Sequence, residues 1–125
     1  MKPFILITAL LFFSDVFAGE VFLCKSINAK GYLLNVQQEW NSKTDNICIV
    51  YKHDVPCCKN TKYRLSIAKR VEKYYFARFI NKEILVKKGS KNTITHYTIQ
   101  EPGDYIVSII DDSGYIIAET TCCVE

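Results

Sequence analysis

The sequence predicts an all-β domain of antiparallel strands, with room for one short helix. Three observations carry this. Apolar residues recur with a period of two along most of the chain after residue 19, turn-forming residues punctuate those runs, and six cysteines follow an apolar leader. An even cysteine count in a short exported chain reads as a disulfide framework.

Residues 1–18 fit the plan of a secretory signal. Lys2 supplies the positive start, Phe4 to Phe13 is apolar or nearly so, and Val16-Phe17-Ala18 places small residues where a signal peptidase reads. The apolar run is too short to span a bilayer, which takes about 20 residues. The expectation is cleavage after Ala18, a single domain over 19–125, and a secreted or periplasmic product with no membrane span after cleavage. A chain of this size buries enough surface for a true core, so disulfides would add to that core instead of replacing it.

The elements follow in order. Glu20 to Ile27 is a strand, and Asn28 to Gly31 a turn. Tyr32, Leu34 and Val36 alternate beyond it. Gln37 to Asp45 is polar apart from Trp40 and reads as a loop or short helix. Ile47, Ile49 and Tyr51 share one strand face, with Cys48 and Val50 on the other. Asp54-Val55-Pro56 breaks that strand ahead of Cys57-Cys58.

Tyr63, Leu65 and Ile67 start another alternating set. Residues 64–80 also carry a helical stripe of Leu65, Ala68, Val71, Tyr75 and Phe79, but the aromatic density of 73–80 favours strand. Asn81-Lys82 then reads as a tight turn, with Glu83 to Lys87 returning. Thr93 to Ile99 alternates, Pro102-Gly103 turns, and Tyr105 to Ile110 runs into the hairpin signal Asp111-Asp112-Ser113-Gly114. Tyr115 to Thr121 runs back.

The segment from Tyr74 to Thr121 resembles the second half of an immunoglobulin-like β-sandwich. The residues that carry the resemblance are Gln100 to Val107, with Gly103-Asp104-Tyr105 at their centre, and Ser108 to Tyr115. The resemblance implies an immunoglobulin-like antiparallel β-sandwich in which Tyr105 makes a tyrosine corner, bonding backbone upstream. It also makes Phe79 to Ile84 the hairpin between the two central strands. The chain departs from antibody-type domains in two places. Val107 stands where they carry the second core cysteine, and Trp40 lies far upstream of the candidate central strand. The inter-sheet disulfide is therefore absent, and Cys24, Cys48, Cys57, Cys58, Cys122 and Cys123 serve another arrangement.

Six cysteines allow 15 pairings. Neighbouring residues on a strand point to opposite faces, so each Cys-Cys pair can feed two different bridges. The expectation joins Cys57-Cys58 to Cys122-Cys123 by at least one bridge, with Cys24–Cys48 as the local one. A metal reading competes, because His53 precedes Cys57 by four residues and paired thiols suit Cu(I) or zinc. Neither pair has Cys-x-x-Cys spacing, and the metal and redox readings rank third. Asp104, Asp111 and Asp112 are a calcium alternative to plain turn chemistry. His53 and His96 are the only histidines.

No Gly-x-Ser-x-Gly, phosphate loop or His-Glu-x-x-His occurs, so no catalytic, cofactor-binding or metal residue is assigned and the chain reads as no enzyme. A net charge of +3 is mild and argues for no nucleic-acid partner. The leading expectation is a non-enzymatic module that binds another protein or a surface component through sandwich loops or an edge strand. Tyr74, Tyr75, Phe76 and Phe79 are candidate contact aromatics. The second expectation is a secreted inhibitor or effector of another protein's enzyme activity, working through an exposed loop at 37–45 or 87–92.

Overall fold

Nine strands, and no helix among the described residues, make up the chain in a computed structural model that describes residues 19–125 apart from Thr44 and Tyr74. The expected leader lies outside those residues. The strands are β1 (Gly19–Ile27), β2 (Leu33–Val36), β3 (Glu39–Trp40), β4 (Ile47–His53), β5 (Thr61–Glu72), β6 (Tyr75–Val86), β7 (Asn92–Tyr97), β8 (Gly103–Ile110) and β9 (Ile116–Val124). They pair as a four-stranded sheet A, ordered β2-β1-β4-β7, and a five-stranded sheet B, ordered β3-β9-β8-β5-β6. All pairings are antiparallel except β3 on β9.

Local chemistry sets the clearest turns. Asn28 Oδ1 accepts from the backbone N–H groups of Lys30 and Tyr32, each at 2.9 Å, and Gly31 takes a positive φ of 85°. Asp111 does the same between β8 and β9. Its Oδ1 accepts from Ser113 N and Tyr115 N, while its carbonyl accepts from Gly114 N.

Alternation then sorts the faces. Val21 and Leu23 of β1 stand opposite Tyr51 and Ile49 of β4, and Leu65 and Ile67 of β5 stand opposite Ile109 and Val107 of β8. These residues, with Ile47, Tyr105, Trp40 and Cys122, form the main core. Fully burying one such aliphatic side chain contributes roughly 1.5–3 kcal/mol.

Two local expectations are corrected. Asn81-Lys82 is no turn: β6 runs unbroken from Tyr75 to Val86, and the reversal falls after Glu72 instead. Asn81 pairs with Ser66 in mid-ladder, beside a register shift at Ile67/Ala68. Phe79 to Ile84 is therefore one strand and no hairpin. Likewise, Gln37 to Asp45 is neither plain loop nor helix. Trp40, only 3% exposed, is pulled into the core, and its strand adds to β9 through bonds from Cys123 N to Gln38 O and from Glu125 N to Trp40 O, both 2.8 Å. The chain thus crosses from sheet A to sheet B between β2 and β3.

Candidate interaction face

The two outer faces differ in chemistry. On sheet B many outward residues are polar and engage one another, although Leu85, opposite Lys62, is 69% exposed there. Arg64 Nη1 donates to Asn81 Oδ1, Ser108 Oγ donates to Glu119 Oε2, Lys62 pairs with Glu83, and Arg70 pairs with Asp104. On sheet A the register aligns an apolar set. One row across the strands reads Val36, Cys24, Cys48, His96, and the next reads Phe22, Val50, Ile94. Cys24, Cys48 and Val50 are fully buried in a cluster separate from the main core, with Ile27 and Leu33 packed against it. Around it Leu34, Val36 and Ile94 remain 44%, 55% and 41% exposed. An aqueous outer face of a sandwich alternates to polar residues; this one does not.

At one end of the sandwich, Tyr51, His53 and Tyr63 meet edge-on and tilted, the Tyr51 and His53 ring centroids 4.7 Å apart. His53 Nε2 hydrogen-bonds Thr93 Oγ1 at 2.6 Å. Burial holds the imidazole below its ordinary pKa. Burial, reinforced by Tyr63 and Asp54, pushes Tyr51 up to about 12. Burial and then Cys57 raise Tyr63. The Cys57 thiol turns to the Lys59 carbonyl at 3.0 Å, and His53 to Thr93. Among the described residues no group of three His, Cys, Asp or Glu side chains is placed to hold a metal ion. His96 is exposed on the outer face of sheet A, on its edge strand β7.

All six cysteines carry free thiols in the structure. The expected bridge between Cys57-Cys58 and Cys122-Cys123 is corrected by strand register. Cys122 stands opposite Tyr105 near the start of β8. The segment after Cys58 meets the far end of that strand, where Lys59 Nζ lies 3.4 Å and Thr61 Oγ1 3.2 Å from Asp112. Tyr105 to Ile110 alone spans roughly 17 Å at strand rise, whereas a disulfide needs Cα atoms within about 7 Å. The same register separates Asp104 from Asp111 and Asp112 by more than 20 Å or so, so these three do not form one calcium site. Asp104 pairs with Arg70 and Asp112 with Lys59.

The candidate loops are tied to the framework. Ser42 N donates to Glu125 O, Gly89 N to Cys57 O, and Cys57 N to Ser90 O. Of the candidate aromatics, Tyr75 is 61% exposed near the tip of the β5–β6 hairpin, and Phe76 lies under the Arg70 guanidinium, 5.3 Å from its ring centroid. Tyr74 lies outside the described residues. Phe76, Arg70, Asp104 and Cys123 line a cleft of about 300 Å³ near the tip of that hairpin. Tyr105, buried, donates its Oη–H to the Glu101 carbonyl at 2.5 Å. The apolar outer face of sheet A was missed from sequence, although the Leu34/Val36 and Cys48/Val50 alternations carried its signal.

No protein-family model matches the chain, and no curated protein matches its sequence. Solved structures do. An immunoglobulin-like protein from Pseudomonas aeruginosa is similar at 14% identity and a TM-score of 0.51, over 86% of this chain and 89% of that one. A superoxide reductase (neelaredoxin) from Ignicoccus hospitalis follows at 7% identity and TM-score 0.46, covering 84% of this chain and 83% of that one. A β-glucosidase from Listeria innocua matches at 14% identity and TM-score 0.44, over 85% of this chain and 16% of the enzyme. At these identities the likeness concerns the fold alone. The chain is an immunoglobulin-like β-sandwich.

Proposed function

We propose that this chain is an exported interaction domain, secreted or periplasmic and stabilised by disulfides, that binds another protein without catalysing a reaction. The contact surface is the outer face of sheet A. The observation that supports this reading is the contiguous apolar set on the outer face of sheet A, where Val36, Cys24 and Cys48 lie in one row and Phe22, Val50 and Ile94 in the next, with Val36 and Ile94 partly exposed. Apolar patches rimmed by polar residues are where soluble domains meet partners. Here the rim is Glu20, Lys52 and Asn92, the next row across the same face.

The partner is accordingly a protein with an apolar patch of its own. Capture from the envelope or medium of the source cells, using residues 19–125 as bait, tests the reading. Wild type is expected to retain a partner that Val36→Glu and Ile94→Lys both release. Equal retention by the two variants would refute the assigned face. An exported chain that begins at Gly19 by mass is the corresponding expectation for the leader.

A further inference from the structure

We infer that Cys24 and Cys48 form a disulfide that ties β1 to β4 in the middle of the outer face of sheet A. The inference rests on the export proposed above, which supplies the oxidising surroundings, and deepens it by naming a covalent bond inside the contact face.

Cys24 and Cys48 are direct partners in the antiparallel ladder. Residues directly opposite in such a ladder have Cα atoms about 4.5–5.5 Å apart, inside the roughly 4.4–6.8 Å that a disulfide spans. Both side chains point to the same face and both are fully buried. The Cys24 thiol already lies 3.6 Å from the Cys48 carbonyl oxygen. No other cysteine competes for either. Cys122 is buried on the inner face of sheet B opposite Tyr105, Cys123 lies on the outer face of that sheet, and Cys57 and Cys58 occupy the segment after β4.

The chemistry is thiol–disulfide exchange. One thiolate attacks an acceptor disulfide, either a small-molecule disulfide or an oxidised dithiol protein, and the second thiolate then resolves the mixed disulfide. Two S–H bonds are lost as protons, one S–S bond forms, and the acceptor leaves as two thiols, having taken two electrons. The Cys48 thiol in the closed sheet is pushed up to about 12 by burial and by Cys24. Exchange with the outside is therefore slow once the fold has closed, and the bond forms as β1 docks on β4. Once made, it fixes β1 against β4 and holds Phe22 beside Val50, the pair that shapes the apolar face.

Peptide mapping without reduction tests this on residues 19–125 refolded with oxidised and reduced glutathione. The expected product is a cross-linked peptide joining Cys24 to Cys48, two hydrogens lighter than its parts. The variant Cys57→Ser, Cys58→Ser, Cys122→Ala, Cys123→Ser is expected to keep that peptide. Its melting temperature is expected to be higher by roughly 10 °C when refolded with glutathione than with dithiothreitol. Cys24 and Cys48 both alkylated on denaturation without reduction, or either one linked elsewhere, would overturn the inference. Failure of the binding face is read separately, as retention of the partner by Val36→Glu and Ile94→Lys.

Discussion

The phenol of Tyr105 reaches back four residues and donates its hydrogen to the Glu101 carbonyl at 2.5 Å. The same Glu101 holds the Lys69 ammonium through its carboxylate. One residue thus anchors the turn into β8 twice, by backbone to the core tyrosine and by side chain to β5. Tyr105→Phe keeps the ring in the core and leaves the carbonyl short of a donor. The expected cost is about 1–2 kcal/mol, read as a lower urea midpoint with an unchanged slope.

Gly103 sits inside that corner at φ 154°, a region L side chains rarely adopt. A Cβ added there would meet Lys69 Cε at 2.8 Å. Gly103→Ala is therefore expected to destabilise by about 1–3 kcal/mol. The Lys69 stem can move aside, so Lys69→Ala combined with Gly103→Ala should recover only the steric part of the loss. Full recovery in the double variant would show that the backbone there is unstrained.

Burial sets an alkaline limit. Tyr105 and Tyr51 are each raised from about 10 to about 12, by burial first, with Glu101 next for Tyr105 and Tyr63 for Tyr51. Folding therefore favours the protonated phenols. That stability is complete below pH 10 or so and is lost as pH rises through about 12. Urea midpoints between those values should fall more steeply for wild type than for Tyr51→Phe. Cys122, raised to about 11 by burial and then by Cys123, adds to the loss from a lower pH.

His53 acts in the opposite direction. Its depressed pKa means that folding favours the neutral imidazole, surrounded by Tyr51, Tyr63 and Thr93. This contribution is present above about pH 6.5 and is lost as pH falls through the folded value. His53→Gln preserves a hydrogen-bond partner for Thr93 and cannot titrate. The difference in urea midpoint between the two proteins should change as pH is lowered from 7 to 5. A constant difference would place His53 in a solvated setting.

Much of this architecture was legible in the residues. The Asn28 and Asp111 turns, the alternating strands and the Gly103-Asp104-Tyr105 corner are written in local chemistry, and the structure realises them with short-range bonds. What escaped was set at long range. Asn81 looks like a turn residue, but pairing with Ser66 and the neighbouring register shift keep it in a strand. Trp40 made its polar surroundings a strand by entering the core, which no local pattern shows. The remoteness of Cys57 from Cys122 follows from which end of β8 each meets, and adjacency of sheets is invisible in spacing. The apolar face was visible only as alternation whose second face was also apolar. That signal gains meaning once the rows Val36–Cys24–Cys48 and Phe22–Val50–Ile94 are aligned.

The central claim is that the partner meets the outer face of sheet A, and affinity measured across both faces tests it most directly. Val36→Glu and Ile94→Lys alter exposed positions on sheet A, and Thr121→Glu is the control on the outer face of sheet B. With the captured partner titrated against each, the account predicts at least a roughly tenfold loss of affinity for the first two and none for the third. Unchanged affinity for both sheet A variants, with a loss for Thr121→Glu, would contradict it.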